Sequence, residues 1–328
     1  MVRFGIIGTN WITENFLDAA YQVEEFTLTS VYSRSKEKAE KFAGKFKADH
    51  TYTDIEAFAK SPEFEAVYIA SPNSFHAEQA ILLMENGKHV LVEKSIASNS
   101  AEVKQMIDTA EKNNVLLMEA LKTVHLPNFK AIQDNIGKIG EVRRYFASYC
   151  QYSSRYDAYK EGKVLNAFNP QFSNGSLMDI GIYCIYPMVT LFGRPERLTA
   201  SSLMLDSGVD GQGSVLFDYG SLNGAVMYSK IANSYLPSEI QGENGSIIID
   251  NINTPTHVEI RYKDGSTEDI TRPQVENGMF YEAAAFVELV KQGKTESDVC
   301  TFERSLETAK LLEEIRRQTG IHFPADEN

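Results

Sequence analysis

The sequence predicts a two-domain α/β protein. An N-terminal Rossmann domain, a doubly wound parallel sheet, precedes an α+β domain with a large, mainly antiparallel sheet. Three observations predict it. The chain has 328 residues, more than one ordinary core organises. Short apolar runs alternate with longer amphipathic ones over residues 1–121, and consecutive strand-like runs with turn signals dominate 122–328. A glycine turn at Gly8 closes the first apolar run.

The first half reads as strands at 2–7, 28–32, 66–70, 89–92 and 115–118, with helical patterns between them at 36–46, 76–86 and 101–113. Gly87 and the pair Asn113–Asn114 follow two of those helices, as helix-ending residues do. Strands alternating with helices imply right-handed crossovers and parallel pairing. In the second half, helices are expected at 128–135 and 177–191, then strands at 215–217, 224–228, 246–250 and 258–262. Glu243-Asn244-Gly245 and Lys263-Asp264-Gly265 supply tight turns, which favour antiparallel pairing. Helices at 280–291 and 302–318 close the chain.

Composition narrows the function. A formal net charge of −13 argues against nucleic acid, whose phosphates need clustered Lys and Arg. With 43% hydrophobic and 23% charged residues the chain reads as soluble and globular, and no apolar run looks long enough to cross a bilayer. Residues 1–8 enter a strand pattern directly and lack a signal peptide's cleavage region. Cys150, Cys184 and Cys300 are odd in number and lack metal-ligand spacing. The expectation is a cytoplasmic protein without a metal or a structural disulfide.

A Rossmann site needs a tight turn after the first strand, so that N–H groups at the next helix start meet the pyrophosphate. Gly8, Thr9, Asn10, Trp11 and Ile12 occupy that place, with Asn10 and Thr13 at the second and third glycine positions. Where the second strand ends, an NAD-selective enzyme carries an acidic residue for the ribose hydroxyls. This chain has Ser33 and Arg34, which suit a 2′-phosphate, so NADP is expected ahead of NAD. Two more strand ends should border the cleft, one carrying Ser71, Pro72, Asn73 and His76, the other Glu93 and Lys94. His76 opens a helix and reads first as a packing or capping element.

Gly5-Ile-Ile-Gly8, Ser71-Pro-Asn-Ser-Phe-His76, Gly87-Lys-His-Val-Leu-Val-Glu-Lys94 and Gly175-Ser-Leu-Met-Asp-Ile-Gly-Ile-Tyr183 follow one another along the chain. As a set they resemble the glucose–fructose oxidoreductase / inositol dehydrogenase / MocA family. Within it, Tyr183 and Met118-Glu119-Ala120-Leu121 are most similar to the branch of dimeric dihydrodiol dehydrogenase and NADP-dependent D-xylose dehydrogenase. The resemblance implies a nicotinamide cofactor in the N-terminal domain, with Glu119 among its surroundings, and a sugar, polyol or related carbonyl substrate. It also implies that Lys94 lies between cofactor and substrate, that Tyr183 is the acid/base, and that Asp179 is its acidic partner. An open sheet face pairing with a second copy is implied too, giving a homodimer or higher even homo-oligomer; Val226, Tyr228, Ile247 and Ile249 are the strand residues expected to line it. Ser95 departs from the family's proline after the lysine.

The chemistry fits that reading. Hydride transfer between nicotinamide and carbon leaves the protein to orient the oxygen and move a proton. Asp179 and Tyr183 are four apart in a helical stretch and share one face. A phenol titrates near ~10, and a lysine cation such as Lys94 would favour the phenolate. Ser176-x-x-Asp179 also has capping-box spacing, so Asp179 could close a helix start as well, a role compatible with the other. Pro187 should disturb the helix at the Tyr183 carbonyl. The leading expectation is a dehydrogenase or reductase. A redox-neutral, NAD-dependent glycosidase and a non-catalytic NAD(P)-binding regulator are the alternatives on the same fold. Tyr183 and the Ser33–Arg34 pair disfavour the first alternative, and the Lys94/Asp179/Tyr183 set disfavours the second.

Overall fold

β1 (Val2–Ile7) buries every side chain but that of Arg3, as a strand covered on both faces must. The computed structural model describes residues 1–327. After β1 come α1 (Trp11–Ala20), β2 (Phe26–Tyr32), α2 (Lys36–Phe46), β3 (His50–Tyr52), α3 (Ile55–Ala59), β4 (Ala66–Ile69), α4 (His76–Glu85), β5 (His89–Glu93), α5 (Ser100–Asn113) and β6 (Leu117–Ala120). The six strands pair in parallel in the order β3-β2-β1-β4-β5-β6. The strand order therefore reverses between β1 and β4, the switch point at which doubly wound sheets bind ligands. Asn10, Ser35, Asp54 and Asn99 cap α1, α2, α3 and α5 with their side chains, and Asn114 ends α5 in the left-handed conformation. β3 and α3, too short to show a period, are additions to the sequence reading.

The second half contains α6 (Pro127–Asn135), β7 (Val142–Cys150), α7 (Ser154–Lys160), α8 (Ile182–Phe192), β8 (Arg197–Met204), β9 (Asp210–Asp218), β10 (Asn223–Ser229), β11 (Ser238–Gly242), β12 (Gly245–Ile249), β13 (Val258–Tyr262) and β14 (Thr267–Asp269). The eight strands run in the order β14-β13-β12-β11-β7-β10-β9-β8, antiparallel except for the β7–β10 pair. α9 (Met279–Lys291) and α10 (Phe302–Thr319) follow.

Two units result. The first comprises residues 1–122 and 275–305, the second 123–274 and 306–328. A division at 121/122 thus omits a returning segment. α9 belongs with the Rossmann sheet: its Phe286 ring lies 5.7 Å from that of Phe4, and its Lys291 pairs with Glu25.

Within the second unit the sequence reading placed the wrong side chains on the open sheet face. Val226, Tyr228, Ile247 and Ile249 are all buried, at 1% exposure or less, on the helix-covered face. Alternation turns their neighbours the other way, so that Leu216, Ala225 and Phe146 form one cross-strand row and Met227 beside Ser148 and Ser214 another. Leu216 is 63% and Met227 42% exposed. The helical run Pro170–Phe192 is, against expectation, long and apolar enough to span a membrane, yet 72% of its most apolar window is buried inside the protein, as in a core helix. Cys150, Cys184 and Cys300 are free thiols.

Candidate functional site

In the first unit the turn after β1 depends on Gly8. Its φ is +106°, and a Cβ there would sit 2.7 Å from the Ala70 carbonyl oxygen. Asn10, at the second glycine position, holds this turn. Its Nδ2 donates to that same carbonyl at 2.9 Å, while its Oδ1 accepts from the N–H groups of Ile12 (3.0 Å) and Thr13 (3.3 Å). Two of the N–H groups that sequence reasoning reserved for a pyrophosphate are thus engaged by the cap. Thr9 lies half-buried in the turn, and Trp11 projects into solvent at 63% exposure.

At the end of β2 the Ser33 N–H donates to the Tyr52 carbonyl (3.1 Å), and its hydroxyl accepts from the Ser35 N–H (3.3 Å). These bonds shape the loop that presents Arg34. The Arg34 guanidinium lies over the ring of Phe75, 5.6 Å from its centroid, bringing the β2 end to the loop after β4. The residues that directly follow β2, Ser33, Arg34 and Ser35, include no carboxylate.

That loop begins with Ser71, whose hydroxyl donates to Gln79 Oε1 (2.7 Å), followed by half-buried Pro72 and buried Asn73. His76 is completely enclosed. Its ring nitrogens lie 2.9 Å from two carbonyl oxygens, Nδ1 from Ser95 and Nε2 from Ser71. Burial pushes the imidazole down to about 4, so at neutral pH it is uncharged. His76 is therefore a strut joining the β4 and β5 ends, which matches its packing reading and leaves it no surface for a cofactor.

Lys94 is half-buried at the β5 end, and its peptide bond to Ser95 is cis. Around it lie buried ionisable groups. Glu93 accepts from the Tyr68 hydroxyl at 2.6 Å. Glu119 accepts from the Ile96 N–H (3.1 Å) and the Ser305 hydroxyl (2.7 Å), and burial pushes its carboxyl up to about 7. Both sit too deep to be ordinary ligand contacts, with 7% and 2% exposure. Lys122 and, from α9, Glu282 complete the group. Sequence reasoning missed these two because neither belongs to a motif, and Glu282 reaches the sheet only through the returning segment.

In the second unit a π-helical turn, Leu177–Gly181, carries Asp179 and leads into α8, which Tyr183 enters at its second residue. Such turns recur at functional sites. The capping-box reading of Ser176 and Asp179 fails, because Ser176 makes no side-chain cap. Asp210 of β9 takes that place, its carboxylate accepting from the N–H groups of Ser176 (3.0 Å) and Leu177 (2.8 Å). Asp179 instead receives a hydrogen bond from Lys230, an almost fully buried lysine just beyond β10. Lys230 also donates to the Ala167 carbonyl at 3.3 Å and lies 5.0 Å from the centroid of the Phe168 ring. No motif marks Lys230; its only signal was its place at a strand end.

Tyr183 is half-buried against Tyr149 in an edge-to-face contact, ring centroids 5.8 Å apart. Tyr149 is held in turn, donating to Gln151 Oε1 (3.0 Å) and accepting from Asn253 Nδ2 (2.9 Å). Pro187 stands inside α8, where it has no N–H to give the Tyr183 carbonyl, and a π-helical turn at 177–181 adds a second irregularity; the Cys184 carbonyl accepts from the buried Tyr145 hydroxyl at 2.8 Å. Among the described residues no three His, Cys, Asp or Glu side chains converge as metal ligands would.

The first unit fits a dinucleotide: a glycine cradle that a Cβ would fill, a capped helix start at the switch point, and hydroxyl and guanidinium groups where a ribose would end.

Comparison with known proteins agrees with this geometry. Residues 2–121 match the family described as "Oxidoreductase family, NAD-binding Rossmann fold", and 131–248 match the GFO/IDH/MocA C-terminal domain. The chain is 57% identical over 327 residues, all of both chains, to scyllo-inositol 2-dehydrogenase (NADP(+)) of Bacillus subtilis. It is 30% identical to trans-1,2-dihydrobenzene-1,2-diol dehydrogenase of Mus musculus, covering 99% of each chain. Among solved structures, a 3-ketoreductase from Actinomadura kijaniata in complex with NADP and TDP-benzene superposes with a TM-score of 0.86 at 23% identity, over 97% of this chain and 98% of that one. At that identity the likeness is one of fold.

Proposed function

This chain belongs to the GFO/IDH/MocA oxidoreductase family, and from that premise we propose that it is an NADP-dependent dehydrogenase of cyclic polyols, inositols first among them. The observation that carries the reading is the 57% identity over 327 residues to a relative named for scyllo-inositol and NADP. Ser33 and Arg34 at the β2 end support the cofactor, since a guanidinium pairs with a 2′-phosphate where a carboxylate would repel it.

When bound, the nicotinamide supplies the hydride acceptor or donor. The chain's residues supply the rest. Tyr183 takes the hydroxyl proton of the substrate during oxidation and returns it in reduction; Lys94 orients the reacting oxygen; Asp179 sets the electrostatics beside Tyr183. In this scheme the first unit holds the cofactor, through Gly8, Thr9, Asn10, Trp11, Ser33, Arg34, Ser71, Pro72 and Asn73, and the second holds the substrate. The open sheet face, with Leu216, Met227, Ala225 and Phe146, pairs with a second copy in a two-fold dimer or a higher even assembly. Three free thiols accord with the reducing cytoplasm as its compartment.

The test is a panel of inositols, sugars and simple carbonyls with NADP(H) and NAD(H), followed by nicotinamide absorbance. Turnover of an inositol with NADP+ is expected. Turnover confined to non-polyol carbonyls would overturn the substrate class, and absence of hydride transfer on the whole panel would overturn the dehydrogenase.

A further inference from the structure

At the carboxyl ends of β5 and β6 the first unit concentrates five ionisable side chains that act on one another: Glu93, Lys94, Glu119, Lys122 and Glu282. Fully ionised, three carboxylates against two ammonium groups leave one uncompensated negative charge in largely buried surroundings, where it is costly. The groups beside them do not repair the imbalance. Tyr68 donates to Glu93 as a neutral phenol, and His76, which faces Lys94, is uncharged.

The three carboxylates differ in what stabilises their anions. Glu93 has the Tyr68 hydroxyl, and Glu119 has an N–H and a hydroxyl. Glu282, with 1% exposure, has no hydrogen-bond partner at either oxygen. The charged groups that bear on it are Glu93, which repels its anion, and Lys122, which attracts it. The elements packed on α9 bring no further charge to it. β1 contributes apolar side chains besides exposed Arg3, which pairs with Glu65; of the acids of α1, Glu14 is paired with Lys45 at 2.8 Å and Asp18 is exposed; and Asn15 is engaged by Asn277 and Met279. Burial accordingly drives the Glu282 carboxyl well above the usual carboxylate range. A proton that neutralises the cluster belongs on Glu282.

Resting on the assignment of a nicotinamide cofactor to this unit, we propose that Glu282 holds one proton for the whole cluster, releases it when the cationic, oxidised nicotinamide binds beside Lys94, and keeps it when the neutral, reduced form binds. Charge then balances in both states. The ring's positive charge stands against the deprotonated cluster, and the neutral ring against the protonated one. During oxidation the carbinol carbon gives up a hydride and the hydroxyl a proton. The cluster meanwhile regains its proton from solvent, so formation of the bound, reduced state liberates less than one net proton.

Calorimetric titration of the full chain with NADP+ and with NADPH, in two buffers of different ionisation enthalpy near neutral pH, reads this directly. NADP+ binding should release up to one proton more than NADPH binding, and the NADP+ Kd should fall up to tenfold per pH unit relative to the NADPH Kd. The 2′-phosphate, common to both forms, cancels in that difference. Glu282→Gln should abolish it while both forms still bind. Should Gln at 282 prevent folding, Lys122→Gln is the second variant, and it should move the release to higher pH. Equal proton release by the two forms in the wild type, or an undiminished difference in Glu282→Gln, would overturn the proposal. If neither form binds, the cofactor assignment itself has failed, and the proposal falls with it.

Discussion

Lys230, buried in the same unit, donates to the carboxylate of Asp179 from 51 residues further along the chain, and Asp179 stands four residues before Tyr183. Removing the cation takes from part-buried Asp179 a charged hydrogen-bond donor. Lys230→Met should cost about 2–3 kcal/mol of stability, below the usual loss for a fully buried pair because Asp179 keeps some solvent contact. It should also lower kcat at least ~10-fold. Lys230→Met with Asp179→Asn should destabilise less than the sum of the singles. Urea unfolding and steady-state kinetics on all three variants check this, and strict additivity would refute the coupling.

Tyr183→Phe keeps the ring that packs on Tyr149 and removes only the hydroxyl. Folding and NADP binding should survive, while kcat drops by about 10²–10⁴. If the two residues serve one proton transfer, as proposed, the loss on adding Lys94→Met should fall far short of multiplicative. Near wild-type kcat in Tyr183→Phe would move the acid/base role elsewhere.

In the proposed function Arg34 carries the cofactor preference. Arg34→Ala forfeits one charge-assisted contact, roughly 1.5–3 kcal/mol, and should erase most of the preference for NADP over NAD. Titrating both cofactors into each protein measures the ratio; an unchanged ratio would show that Arg34 only stacks on Phe75.

Asp210 makes a signed prediction about pH. Burial pushes its carboxyl up to about 6 despite the N–H groups it accepts from, against an ordinary value of 3.8. Between those values the folded protein binds the proton that the unfolded chain gives up. Asp210's contribution to stability therefore falls as pH rises from about 4 to 6, by roughly 1.4 kcal/mol per unit. Asp210→Asn removes that slope. Its destabilisation, measured by urea unfolding, should be larger at pH 4.5 than at 6.5, by about 2 kcal/mol. The opposite order would mean that the N–H groups outweigh desolvation.

Leu216→Lys tests assembly. The side chain is 63% exposed on the open sheet face, so the monomer should fold unchanged while a charge enters the proposed interface. Light scattering should report an even oligomer for the wild type and a shift toward monomer for the variant. A monomeric wild type would contradict the pairing.

The sequence by itself determined whatever depends on neighbours along the chain. Alternating apolar and amphipathic runs are enough for the Rossmann half, because parallel strands buried on both faces must be apolar throughout, as β4 is. The turn at Gly8 and Asn10 was legible in place, as its geometry shows. Tertiary structure decided which charges meet and which sheet face is covered. Strand alternation divides Val226 from Met227 but cannot say which of them the helices cover. Lys230 reaches Asp179, Asp210 reaches Ser176 from 34 residues away, and Glu282 joins Glu93 through a returning helix, pairings that no local period encodes. A buried charge is tolerated only where a partner arrives in space, so the residues that govern these ionisable groups become visible once the chain has folded.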